Sequence, residues 1–354
     1  MEDGWWRQQI IMLEQSQIQR RMNHEYEQGV ILTGDRTTGQ LHLGHYVGSL
    51  RSRVQLQNEY KTYILLADVQ ALTTHYNQPG LIADSVYQVT LDYLAVGIDP
   101  NQATLFIQSM IPEIAELTVI FSMFVTVNTL RHNPTIKTEA RDRGYTDLYY
   151  GFLGYPVSQA ADIAFCKATL VPAGEDQIPH VETARKLVRR FNELYAPVLP
   201  EPRILTGERL GGLDGIGKMS KSMGNAISLN ASPEDVHAKL TKAKTDPARV
   251  HRTDPGHPDI CPVFAYHQLF RKEHAEEIHA SCSQGSIGCR ECKHFAGTAI
   301  NDLLAPFHER RNHYEQRENE VKEILIDGTR QARKVARETM LEVREAMGIR
   351  YFDL

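Results

Sequence analysis

Two histidines three residues apart are the first candidates for chemistry in this chain. They stand in Leu41-His42-Leu43-Gly44-His45, just after the turn TGDRTTG. At the start of a helix His42 and His45 share a face. Gly44 between them carries no side chain, so a flat base or a phosphate can approach the backbone. Helix N-terminal amides and imidazole N–H groups suit phosphate oxygens. A second segment, Lys218-Met219-Ser220-Lys221-Ser222, follows the glycine-rich GGLDGIG. Its two lysines and two hydroxyls can close on a triphosphate and neutralise charge building on a departing pyrophosphate. Either segment alone is an ordinary polar stretch; the pair is far more specific. A third group is Cys261, Cys282, Cys289 and Cys292, spaced C-x20-C-x6-C-x2-C. Four cysteines in so short a window read as thiolate metal ligands. Zinc usually shows two C-x2-C knuckles and here there is one, with His294 as a substitute ligand. Cys166 reads as an inert packed thiol.

The elements that must position these residues follow from the periodicity. Val30–Leu32, Thr62–Ala67, Thr104–Gln108 and Leu170–Pro172 are short apolar runs that predict buried strands. Helical patterns lie between them, at His45–Tyr60, at Ser85–Val96 closed by Gly97 and Pro100, and in the apolar stretch Leu117–Leu130. The alternation predicts βαβ units and a parallel sheet. Ligands of such sheets sit outside the carboxyl ends of the strands, which places TGDRTTG and VPAGEDQ at the mouth. After about Asn230 the chain turns helical, charged and strand-poor, with a loop expected at TDPARVHRTDPGHPDICP. Residues 1–28, with Trp5 and Trp6, form a Gln/Glu/Arg-rich arm expected to be helical and solvated.

Composition narrows the classes. The chain has 354 residues, 42% hydrophobic and 23% charged, with net charge −5. That excludes a mainly disordered chain and a small disulfide scaffold, and it argues against non-specific coating of nucleic acid. Five cysteines, an odd number, suit a reduced cytoplasmic chain. No signal peptide or membrane-spanning stretch is legible.

Tyr155-Pro156 opens a further helix on which Gln159 and Asp162 share a face. Asp162 is acceptor-only and suits a buried donor. An indole N–H and a tyrosine hydroxyl both remain open, and a surface pairing with arginine is the bland reading.

HLGH after a first strand, with KMSKS near the end of the same domain, is the signature pair of class I aminoacyl-tRNA synthetases, and the chain resembles that class. Within it, YPVSQAADI, VPAGEDQ and ETAR resemble the tryptophanyl-tRNA synthetases. So do GIDP and TLFIQS in Gly97–Ser109, TDPAR at Thr245–Arg249, and DGTRQARKVA. The likeness spans about residues 29–350.

The resemblance implies an α/β fold: a Rossmann-like parallel-sheet catalytic domain (29–228) and a C-terminal helical anticodon-binding domain (229–354), after the 1–28 extension. It implies activation of tryptophan by ATP with Mg²⁺, then transfer to tRNA(Trp). His42, His45, Lys218 and Lys221 would be catalytic. Arg36, Thr37, Thr38, Gly44, Gly174, Glu175, Asp176, Leu210, Met219, Ser220 and Ser222 would join them around ATP. Tyr155 and Gln177 would hold the substrate amino group, and Asp162 would accept the indole N–H. Arg36 stands where many members have Gln-Pro-Ser, and Gln70 where histidine is common. CPVFAYHQLF with CSQGSIGCRECK resembles the four-cysteine [4Fe–4S] segment of a bacterial subset, which ranks that cluster ahead of Zn²⁺. A homodimer through Leu117–Leu130 is expected, with tRNA candidates among Arg185, Lys186, Arg189 and Arg190 and among Arg330, Arg333, Lys334, Arg337 and Arg344. No DNA or membrane partner is expected. A tyrosyl-type enzyme and an inactive synthetase-like paralogue are the alternatives; both signature motifs are intact.

Overall fold

The computed structural model describes residues 29–217, 219–220 and 223–352. The 1–28 arm, Lys218, Lys221 and Ser222 lie outside the described residues. Five parallel strands form one sheet: β1 (Val30–Arg36), β2 (Lys61–Ala67), β3 (Ala103–Ile107), β4 (Leu170–Ala173) and β5 (Arg203–Thr206). Their order is β3-β2-β1-β4-β5. β1 pairs with β2 from Val30↔Lys61 to Arg36↔Ala67 and meets β4 at Ile31↔Leu170. The chain therefore steps outward in opposite directions from β1, and the crevice between the ends of β1 and β4 is the ligand position of such a sheet.

Thr62–Ala67 is buried throughout, as a strand covered on both faces must be. Its side chains alternate between two cores. Tyr63, Leu65 and Ala67 pack with Pro112–Ser122, Tyr150–Phe165 and Ile178–Leu194. Ile64 and Leu66 pack with Pro79–Val96, Pro233–Lys242 and Cys289–Glu315. This second core is continuous across Asn230. The last helix, Glu318–Ala346, lies on edge strand β3 at Gly328, where a Cβ would stand 1.9 Å from the Leu105 carbonyl oxygen. Only glycine permits that approach.

Four expectations need correction. The sheet has a fifth strand, Arg203–Thr206. β1 runs on to Arg36, so the turn begins at Thr37. His45–Tyr60 is not one regular helix: a π turn, Tyr46–Leu50, follows Leu43–His45, and the helix ends at Leu56. Leu117–Leu130 is two helices, Pro112–Ser122 and Val127–Arg131, the second capped by the Thr126 hydroxyl. The 245–261 stretch is loop with short turns, as expected. Among the described residues no helix is long and apolar enough to cross a membrane.

Candidate active site

β1 delivers the first motif. Beyond Arg36 the chain turns through Thr37, whose buried hydroxyl has no partner among the described residues, and through Thr38, whose N–H bonds back to the Arg36 carbonyl. His42 then starts the short helix. Its backbone N–H donates to His45 Nδ1 at 3.2 Å, and the two rings lie 3.8 Å apart. Because Nδ1 accepts, a neutral His45 carries its proton on Nε2. The π turn directly after it is a deviation common at functional sites.

The second motif is brought to the first by backbone pairing. Leu43 N–H donates to the Ile227 carbonyl at 2.9 Å and Leu229 N–H to the Leu41 carbonyl at 3.0 Å. Met219 is buried in the cluster that holds Leu41, Leu43 and Leu210. A Cβ on Gly44 would stand 3.2 Å from the Met219 Cβ and 3.0 Å from the His42 ring. Gly44 thus lets the KMSKS segment lie against HLGH. Ser220 N–H donates to Asn225 Oδ1 at 2.7 Å, and Asn225 Nδ2 donates to Asp214. Leu210, expected at ATP, is a buried core residue beneath both motifs.

Under the first motif Arg53 meets Asp35 at 2.6 Å, with the Tyr93 hydroxyl at 2.9 Å. Burial alone would raise the Asp35 pKa. Arg53, His45 and Tyr93 outweigh it and hold the carboxyl at about 2. An ionised but fully paired Asp35–Arg53 couple therefore sits behind the imidazoles.

The other wall comes from Tyr150–Phe165 and the GEDQ turn. Gly174 caps a single 3₁₀ turn, Glu175–Gln177, with Glu175 and Asp176 exposed at the mouth. Gln177 Oε1 accepts from Gln159 Nε2 at 3.0 Å. The Tyr155 hydroxyl donates to Glu139 Oε2 at 3.1 Å and lies 2.9 Å from His180 Nε2. Arg36 pairs with the same Glu139 and lies over the Tyr155 ring. Burial lowers His180 to about 4, which keeps that imidazole neutral. Asp162 is fully buried and accepts amide N–H bonds from Gln70 at 2.5 Å and from Gln108 at 2.8 and 2.9 Å. Burial pushes its pKa up to about 7 against those two amides. Gln108, Glu139 and His180 were not singled out from the sequence. They contact Asp162 and Tyr155 across gaps of 54, 16 and 25 residues, and only the fold closes such gaps.

All five cysteines are free thiols. Cys166 is buried, and burial raises its pKa far above the ordinary range, as expected of a packed thiol. The other four are half-buried, and three of them, Cys261, Cys282 and Cys292, border Phe264, Ile278, Ile287 and Phe295. Burial pushes Cys292 up to about 12, with Cys261, Cys282 and Cys289 adding to the effect, so these thiols lie within electrostatic reach of one another. Arg249 donates to Cys282 Sγ at 3.5 Å, and His267 Nε2 lies 3.2 Å from Cys292 Sγ. Among the described residues no three His, Cys, Asp or Glu side chains converge as a single-ion site. A zinc ion therefore finds no ready ligand set, and neither does a Mg²⁺ held by protein carboxylates.

The expected basic stripe is largely paired. Arg333 and Arg337 share Glu113, Arg344 meets Glu116, and Arg330 meets Asp327. Arg189 pairs with Glu201.

The family model for class I tRNA synthetases of the W and Y type matches residues 25–305. The tryptophan–tRNA ligase of Clostridium longisporum is 47% identical over 334 residues, covering 92% of this chain and 98% of that protein. That of Lactococcus lactis is 45% identical over 335 residues, covering 91% and 98%. Among solved structures, the tryptophanyl-tRNA synthetase of Campylobacter jejuni with ADP and tryptophan aligns with TM-score 0.78 at 29% identity, covering 90% of this chain and 99% of that one. Signature motifs, sheet order and relatives agree: the chain belongs to the tryptophan–tRNA ligases of the class I tRNA synthetases.

Proposed function

We infer that this chain joins tryptophan to tRNA(Trp) in two steps. In the first, the tryptophan carboxylate oxygen attacks the α-phosphorus of ATP. The bond from that phosphorus to the β-phosphate oxygen breaks, pyrophosphate leaves and tryptophanyl-adenylate remains. In the second, a ribose hydroxyl of the tRNA 3′ end attacks the acyl carbon and AMP leaves. The observation that carries this reading is the clamp of HLGH onto the segment after KMSKS, beside the β1/β4 crevice. In this reading the imidazole donors work from the HLGH side of the crevice and the Asp162 pocket from the other.

His42 and His45 donate to the phosphates, and Lys218 and Lys221 neutralise charge on the leaving pyrophosphate. Thr37, Thr38, Gly44, Met219, Ser220 and Ser222 line the triphosphate, with Gly174, Glu175 and Asp176 opposite. Arg36 reaches the nucleotide when it exchanges Glu139 for phosphate. Leu210 supports this surface from beneath. Tyr155 and Gln177 hold the ammonium group. Asp162 accepts the indole N–H: two amides already bond its oxygens, and a carboxylate has lone pairs for a further donor. Mg²⁺ travels on the triphosphate and offsets its charge. Residues 29–228 form the catalytic unit and 229–354 the anticodon-binding unit.

In the same reading the four cysteines hold a [4Fe–4S] cluster that ties the 249–292 loop region together. Anaerobically purified protein should be brown, with iron and sulfide in equal amounts; colourless protein containing zinc would refute this assignment. Val119, Met123 and Val127, all more than half exposed, support a homodimer through this face. Cytoplasmic location follows from work in translation.

The experiment is amino-acid-dependent ATP–pyrophosphate exchange with tryptophan and with tyrosine. Exchange with tryptophan alone is expected. Exchange with tyrosine alone points to a tyrosyl enzyme, and none with either points to an inactive paralogue.

A further inference from the structure

The helix Cys289–Glu315 begins at two of the cysteines and packs towards its end against the helix Pro79–Val96. Near that end Arg311 is 2% exposed, and its guanidinium meets Asp92, 1% exposed, at 2.5 Å. Asp92 lies on Pro79–Val96. Its other oxygen accepts the backbone N–H of Leu41 at 2.6 Å, and Leu41 immediately precedes His42. The contact repeats one turn earlier: Gln88 Oε1 accepts from Arg311 Nη2 and, at 3.2 Å, from Gln40 Nε2. Gln40 Oε1 in turn accepts from Ser228 Oγ at 3.2 Å, and the Leu41 carbonyl accepts from Leu229 N–H at 3.0 Å. One unbroken set of hydrogen bonds thus joins the helical part of the chain to the residues flanking both signature motifs.

A buried ion pair is a poor device for stability, since apolar side chains of similar volume do as well or better. Its strength is geometric: a carboxylate with two fixed donors has one orientation. Here that orientation fixes a loop amide that has no strand partner of its own. We propose that Asp92 and Arg311 are positioning residues for adenylate formation, setting the HLGH imidazoles in register with the KMSKS segment. The helical part of the chain thereby holds the nucleotide half of the site in shape. The pocket of Tyr155, Asp162 and Gln177 rests on other elements and is independent of the pair. This proposal rests on the functional reading above.

The test uses the full-length chain with the variants Arg311→Met, Arg311→Lys and Asp92→Asn, in tryptophan-dependent ATP–pyrophosphate exchange. Arg311→Met and Asp92→Asn should lower kcat about tenfold or more, a loss that one displaced donor set can produce. The KM for tryptophan should stay within about twofold, and Arg311→Lys should recover most of the rate. Calorimetric titration with tryptophan should give the wild-type affinity in each variant. Should Arg311→Met not fold, Gln88→Ala, which leaves the ion pair in place, is expected to show the same split more mildly. Unchanged kcat in folded variants overturns the proposal, and so does a parallel change in kcat and tryptophan KM. Failure of the functional reading is separate, because wild-type protein would then lack tryptophan-dependent exchange.

Discussion

The mouth of the sheet and the cysteine pocket are built on opposite plans. At the mouth nearly every polar side chain is held by another. Asp35 is gripped by Arg53 and Tyr93, Asp162 by Gln70 and Gln108, and Tyr155 by Glu139. In the pocket three of the four thiols border an apolar wall, and among the described residues Arg249 and His267 reach sulfur. The first plan suits chemistry that gains from dipoles fixed before substrate arrives. The second suits a group whose bonds to the protein themselves supply the order.

The contrast can be broken most forcefully at the imidazoles. His45→Ala should lower kcat for adenylate formation by roughly 10²–10³, the usual cost of one preorganised donor. On the proposed cluster, its iron content and visible absorbance should match wild type, since the His45 ring bonds within its own motif, to the His42 N–H. A drop of less than about threefold would remove His45 from the preorganised set.

A smaller effect is expected at Asp162, and it has two signs. Asp162→Asn should raise the KM for tryptophan by about 10–100-fold, because it removes a buried charged acceptor worth about 1–3 kcal/mol. The same change should relieve a burial cost. The unfolded carboxyl ionises near 3.8, whereas the folded one stays protonated up to about 7. The raised folded value means that the contribution of Asp162 to stability is fullest below pH 4 and falls as pH rises towards 7, by roughly 1.4 kcal/mol per unit. Urea unfolding across that range should show a steeper decline for wild type than for Asp162→Asn. Equal slopes would show that burial does not hold the carboxyl protonated.

The smallest effect on catalysis is expected from the pocket. If the proposed cluster is held there, Cys292→Ala should abolish bound iron yet change kcat and the tryptophan KM by less than about threefold, as sites without shared partners act nearly independently. A large catalytic loss would mean that the helix starting at Cys289 carries strain as far as Arg311.

Much of the fold was legible because parallel strands are short apolar runs and the helices between them carry a clear period. Four of five strands were read in this way. Arg203–Thr206 was hidden because four residues between Pro202 and Gly207 give too little pattern. The break in Leu117–Leu130 was hidden because its apolar residues run through the turn at Met123–Val125, and only the Thr126 cap marks the restart. The motifs named the candidate reacting groups, since a phosphate-binding set is carried on a contiguous turn. Their supports were not legible: Arg53, Glu139, His180, Gln108 and Arg311 act across the fold, and each by itself is an unremarkable polar residue. Arg311 is the extreme case, 219 residues from the aspartate it holds.

The most direct test of the central claim is charging of purified tRNA(Trp) by the full-length chain with labelled tryptophan or labelled tyrosine, in the presence of ATP and Mg²⁺. Stable ester-linked label from tryptophan, and none from tyrosine, is the expected result. Label from tyrosine alone, or from neither amino acid while the protein is folded, would contradict it.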